Sequence, residues 1–132
     1  MSRRRLQAVI TGIGTVATVA GAVGVVGGGA TVLEGGRVSA NVDSEFRFHA
    51  TWYAVLGVLM LRAAPHPEHE TTVIRAAGAG FLVAAFGRVV SWGSAGKPHW
   101  LFRSLMALEF AIPAVIIPWQ HRVARETTRR TS

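Results

Sequence analysis

The chain has no cysteine. Disulfide bridges, thiolate metal sites and cysteine nucleophiles are therefore excluded. It also lacks the short motifs of the common chemistries: no Walker loop, no GxGxxG after a strand, no HExxH and no lipobox. The early glycines lie inside an apolar run with no lysine after them, so they are not a phosphate cradle. Acidic residues are few, 7 against 14 Lys and Arg, for a net charge of +7. In a soluble protein that balance would suggest nucleic acid. Here the basic residues crowd Arg3–Arg5 and Arg122–Arg130 without interleaved aromatics. That pattern fits membrane orientation and contact with anionic headgroups, and no nucleic-acid partner is expected. No loop or tail is long enough to form a soluble core.

What is present is apolar sequence in blocks. Half of the 132 residues are hydrophobic, and the mean hydropathy is +0.35. The apolar residues fall in runs of roughly 20, the length that crosses a hydrocarbon core, separated by short charged segments. The length suits one domain. The sequence therefore predicts an all-α polytopic membrane protein, a compact bundle of four transmembrane helices. They lie at roughly 6–33, 45–62, 73–92 and 98–119, with a basic, frayed tail over 120–132.

In the first segment Gly14, Gly21 and Gly28 recur at heptad spacing with Gly24 beside them. Small residues let helices approach closely in lipid, so this is a packing face, open to another helix of the chain, to a second copy or to a partner. Gly27–Gly29 should loosen or end the helix. A signal-peptide reading is available, from Arg3–Arg5 and the small residues Val38–Ala40. The apolar run far exceeds the roughly 7–15 residues of such a segment, so retention is expected. The next loop carries Glu34, Arg37 and Asp43, with Asp43 or Ser44 as a helix cap. Pro65 and Pro67 end helix two, and Thr71 or Thr72 should cap helix three. Pro98 fits the first turn of helix four. Trp92, Trp100 and Trp119 lie near helix ends, as interfacial residues do.

Arg3–Arg5, Arg62, Arg75, Arg122, Arg125, Arg129 and Arg130 fall on one side of a four-span arrangement, and Arg37, Arg47, Arg88, Lys97 and Arg103 on the other. The richer side should be cytoplasmic, which places both termini there.

The costly residues are polar ones in the outer halves of helices two to four: Glu45, Arg47, His49 and Tyr53, then Arg88, Arg103 and Glu109. Glu109 lies nearly midway between Trp100 and Trp119. A charge near the bilayer centre costs on the order of 2.5–3.5 kcal/mol and must face the bundle interior. Arg88 is its best partner, because Arg103 lies about 120° around the same helix. At about 100° per residue Ala77, Phe81, Ala84, Arg88 and Trp92 share a face. On helix two Glu45 groups with His49 and Trp52, and Arg47 with Ala50, Thr51 and Ala54. Pro113 cannot donate to the carbonyl of Glu109, so that residue offers a carboxylate and a free backbone oxygen at one depth.

These seven residues form one predicted polar cluster. It is either a structural ion-pair network or a pocket for a lipid-like molecule. The third reading is a path for protons or ions, with Glu109 and His49 as the relay. No catalytic residue stands out, no cofactor is implied, and no metal site is assigned. The loop His66–Glu70 holds two histidines and two carboxylates, but between prolines it reads as a solvated loop rather than a metal site.

Three stretches carry a family resemblance: Asn41–Leu61 with SEFRFHATWYAVLG at its core, the Gly87-Arg88 end of helix three, and Arg103–Pro113 around Glu109. Over roughly residues 10–122 the chain resembles the small bacterial membrane proteins catalogued as domain of unknown function 4345. The resemblance implies four transmembrane helices and a charged entrance to the second. It implies no activity.

The functional expectation is a non-enzymatic integral membrane module of the bacterial cytoplasmic membrane. It would bind a lipid-like ligand or serve as an accessory subunit of a larger membrane complex. Its partners would be membrane lipids and another membrane protein or copy of itself, met through the glycine-rich faces. The alternatives are a small oligomeric transporter or channel and an intramembrane enzyme acting on a lipid or quinone.

Overall fold

The computed structural model describes residues 2–33 and 36–131, with side chains through Arg129. Glu34 and the Arg130 side chain, both invoked above, lie outside the described residues. The described chain is all-helical, with no strand. Helix α1 is Arg3–Gly27, followed by a short 3-10 turn, Gly28–Thr31; α2 is Ala40–Ala63, α3 is Thr71–Ala95 and α4 is Trp100–Thr131. Three segments are long and apolar enough to cross a membrane: Arg3–Thr31, Thr71–Ala95 and Trp100–Arg129. The second helix is not among them, so length and composition support three of the four expected spans. The reason is visible in its first half, where Asp43, Glu45, Arg47 and His49 interrupt the apolar pattern.

The helix bounds differ from the expected ones for local reasons. The second helix begins at Ala40, several residues before the expected start near 45. Ser39 is its N-cap, its side-chain oxygen accepting from the Val42 N–H at 3.3 Å. Asp43, expected to cap, lies inside the first turn and is free for another use. The residue before α3 is Glu70, which makes no side-chain cap bond, so neither Thr71 nor Thr72 caps it. Pro98 precedes α4 rather than opening it. The fourth helix contains both Pro113 and Pro118 and continues to Thr131, so the expected frayed tail is helical.

The chain divides into two compact units. One is Ala8–Pro65; the other joins Met1–Gln7 to His66–Ser132. In the first unit α1 and α2 touch along the glycine face read from the sequence. A Cβ on Gly14 would lie 2.9 Å from the Gly57 carbonyl oxygen. One on Gly21 would meet the Ala54 backbone and lie 2.7 Å from the Ala50 carbonyl oxygen, and one on Gly24 would lie 2.7 Å from the Ala50 Cβ. No side chain fits between backbones this close, which is the physical reason for glycine at these positions. The third glycine of the heptad series, Gly28, ends the helix instead, at φ +66°, a conformation that side chains with a Cβ rarely adopt.

In the second unit α3 packs on α4. A Cβ on Gly78 would lie 3.0 Å from Ile117 and 3.3 Å from Pro113. The rings of Phe86 and Phe110 meet edge to face, 5.3 Å apart. Ile74, Ala77, Phe81 and Ala85 are buried along α3. Ala77 and Phe81 belong to the face on which Arg88 was placed, and the packing of that face carries Arg88 to α4.

Candidate functional site

Glu109 is 4% exposed, the most buried carboxylate among the described residues. It sits on α4 about 14 Å along the axis from Trp100 and about 15 Å from Trp119, at 1.5 Å per residue. Both its oxygens are engaged by one guanidinium. Arg88 Nε donates to Oε2 at 2.7 Å and Arg88 Nη2 donates to Oε1 at 3.1 Å. This two-pronged geometry is the strongest form of an arginine–carboxylate contact. The pair is asymmetric: the Glu109 side chain is 6% exposed and that of Arg88 is 31% exposed. The carboxylate is thus the more enclosed member of the pair. Pro113, inside the helix, leaves the Glu109 carbonyl without its usual helical donor.

Arg103, on the same helix, lies about one and two-thirds turns before Glu109. Its Nε is buried without a hydrogen-bond acceptor among the described residues, as is Trp119 Nε1. Buried donors are nearly always paired in proteins, so each is an unmet demand.

The α2 residues belong to the other unit and do something different. Arg47 reaches the end of α1, where its Nη1 donates to the carbonyls of Val25 at 2.5 Å and Val26 at 3.0 Å. Its Nε donates to Asp43 Oδ2 at 2.8 Å, and Asp43 Oδ1 accepts from the Gly29 N–H at 2.7 Å. One ion pair thereby serves both the last carbonyls of α1 and an amide of the turn after it. Arginine at a helix C-terminus satisfies carbonyls that have no partner inside the helix and suits the negative end of the dipole. Ala50 and Ala54, assigned to the Arg47 face, are the residues that meet Gly21 and Gly24. His49 is exposed, and its Nδ1 contacts the Glu45 carbonyl of its own helix at 2.7 Å. Glu45 is exposed and Tyr53 half-buried.

The structure therefore brings Arg88 and Glu109 together in one unit and joins Arg47 to Asp43 and the α1 terminus in the other. Arg103 is near in sequence to Glu109 but makes no ion pair with it. Asp43 is not the cap that its residue type suggests, because Ser39 holds that position and leaves the carboxylate to Arg47. The i, i+4 spacing of Asp43 and Arg47 was the available signal, and it needed the earlier helix start to be seen.

Two further polar contacts were not foreseen. Glu68, in the connection expected to be solvated, has a side chain only 7% exposed and pairs with Arg3 Nε at 2.9 Å. The Arg3 guanidinium holds the Glu68 carboxyl below the ordinary glutamate range, against the opposing effect of burial. His66 and His69 approach the same carboxylate at 3.9 and 4.0 Å but are themselves 70% and 73% exposed. Among the described residues no group of three or more His, Asp or Glu could hold a metal ion. Gln120, assigned to the tail, is 1% exposed. Its Nε2 donates to the Pro67 carbonyl at 3.1 Å and to Thr71 Oγ1 at 2.7 Å.

No curated protein matches the chain, and no solved structure does. A family model does match, over residues 5–120, a span that takes in the Arg47 contacts, the Arg88–Glu109 pair and Gln120. With most of its length covered, the chain belongs to the family described as Domain of unknown function (DUF4345).

Proposed function

We propose that this protein is a non-enzymatic integral membrane module that holds a lipid-like molecule, or the polar group of a partner subunit, against the Arg88–Glu109 pair. The observation behind this reading is the asymmetry of the pair. Glu109 is sealed and doubly bonded, which leaves it poorly placed to shuttle protons. Arg88 keeps about a third of its side chain exposed, so a headgroup oxygen or a partner's carbonyl could reach it from outside the helix pair. Ionisable residues inside membrane spans most often mark functional positions.

The same reading takes α2 as a fourth crossing. Its 24 residues span about 36 Å, enough for a hydrocarbon core of about 30 Å. Its most awkward cation, Arg47, is already neutralised by Asp43 and the α1 carbonyls. Both termini would then share one side, the cytoplasmic side by the distribution of arginines, in a bacterial cytoplasmic membrane as the family resemblance implies.

The test is recovery of bound lipid and of co-purifying protein from membranes carrying wild type, Glu109→Gln or Arg88→Ala. Loss of a specific lipid or partner from folded variants is the expected result. If both variants fold and retain the same lipids and partners as wild type, the proposal fails.

A further inference from the structure

One end of the α3–α4 unit is fixed by three hydrogen bonds. Arg3 Nε donates to Glu68 Oε2 at 2.9 Å. Gln120 Nε2 donates to the Pro67 carbonyl at 3.1 Å and to Thr71 Oγ1 at 2.7 Å. These bonds bring to one level the first turn of α1, the connection before α3, the first residue of α3 and the residue of α4 that follows Trp119. Arginines cluster at that level. Arg4, Arg5, Arg75, Arg122 and Arg125 are all exposed.

The fourth helix does not stop at this level. It runs on from Gln120 to Thr131, about 16 Å further at 1.5 Å per residue. Gln120 and Val123 form its buried side, 1% and 3% exposed. Arg122 and Arg125 are left pointing outward about 4 and 9 Å beyond Trp119. The headgroup layer on each side of a bilayer begins at the end of the hydrocarbon and is several ångströms deep, roughly 5–8 Å. Both guanidinium groups, on flexible stems, fall within its reach. Counter-charge at this end is sparse. Glu68 is already committed to Arg3, and Glu70 and Glu126 are the other carboxylates near it.

We propose that this end is a binding surface for anionic phospholipid headgroups, with Arg122 and Arg125 of α4 and Arg4 and Arg5 of α1 as the phosphate ligands. Every one of these cations is arginine, whose planar fork matches two phosphate oxygens at once. The helical continuation of α4 gives the arginines fixed positions, which a frayed tail would not. Their placement one to two turns past the apolar run of a candidate span favours lipid over nucleic acid or an acidic protein. Each arginine near an anionic surface is worth roughly a fivefold gain in binding.

The experiment uses the full chain in nanodiscs of equal parts phosphatidylglycerol and phosphatidylcholine. The lipids retained by the released protein are counted by native mass spectrometry. Wild type should retain phosphatidylglycerol in several-fold excess, and added salt should erode the excess. The variant Arg4→Gln/Arg5→Gln/Arg122→Gln/Arg125→Gln should bring the ratio close to one. Lys97→Gln, exposed on the α3–α4 connection at the opposite end, should leave the excess intact. If the fourfold variant does not fold, the salt dependence and the Lys97 variant still decide. Equal retention of both lipids by wild type overturns the proposal. So does an excess that survives the fourfold change or salt. Tighter retention of a duplex oligonucleotide than of phosphatidylglycerol at equal ionic strength would overturn it in favour of nucleic acid.

Discussion

Gly14 of α1 and Gly57 of α2 face each other with no room for a side chain: a Cβ on the first would lie 2.9 Å from the carbonyl oxygen of the second. The contact continues along α1 at Gly21 and Gly24, against Ala50 and Ala54. The obstructing atoms are mostly backbone, so a larger residue cannot be accommodated by a rotamer change.

Gly21→Ala should therefore destabilise the helix pair by about 1–3 kcal/mol, the usual cost of overpacking. Gly21→Leu should cost more. Gly12 has nothing within 4 Å of its Cβ position, so Gly12→Ala should be neutral or slightly stabilising through helix propensity. Thermal unfolding of the three variants in one detergent, followed by circular dichroism, checks the order. Equal melting temperatures for Gly12→Ala and Gly21→Ala would contradict the packing described.

Removing one member of the Arg88–Glu109 pair strands the other. Breaking a buried pair costs on the order of 3–5 kcal/mol, with the low end expected here because Arg88 is partly exposed. Replacing both residues by methionine should cost less than either single change, since no unpaired charge remains. A double-mutant cycle measured by denaturant unfolding gives the coupling directly. A coupling near zero would mean that the pair contributes nothing to stability.

Gln120 is the buried link between α4 and the start of α3. Gln120→Leu fills similar space but leaves the Pro67 carbonyl without its donor, and should cost about 1–3 kcal/mol. Thr71→Val removes only the second acceptor and should cost less. Proteolysis of the connection before α3 should be accelerated in Gln120→Leu, and unchanged cleavage would argue against the link.

Acid should weaken the same end of the molecule. The carboxyl of Glu68 is held below its ordinary range chiefly by its hydrogen bond from Arg3. A carboxyl depressed in the folded state adds stability that is fully present above its unfolded pKa of about 4.3. That contribution is lost as pH falls through the lower, folded value. The melting temperature of wild type should thus fall below about pH 4.3 more steeply than that of Glu68→Gln. Parallel pH profiles for the two proteins would show that the Arg3–Glu68 contact is not stabilising.

The sequence announced some of these contacts and concealed others, for physical reasons. A charge deep in an apolar run must find an opposite charge, and Arg88 was the candidate on a small-residue face, so its pairing with Glu109 could be read from one dimension. The Gly14–Gly21 spacing likewise carries its own meaning, since only close packing rewards it. Gln120 carries no such local signal. Its acceptor, the Pro67 carbonyl, is 53 residues away, and a glutamine beside arginines looks like tail. Asp43 misled for the opposite reason. It is a good capping residue, but Ser39 took that role first, and the carboxylate passed to Arg47 and Gly29. The second helix combines a charged first half with an apolar second half, and for that reason it falls outside the segments apolar enough to cross a membrane.

The Arg47 contact also bears on the order of events during synthesis. The last carbonyls of α1 are satisfied by a residue that emerges from the ribosome some 21 residues later. Until Arg47 is made, those carbonyls lack the donor that the folded chain gives them. The end of α1 is therefore completed only once the following helix has been made.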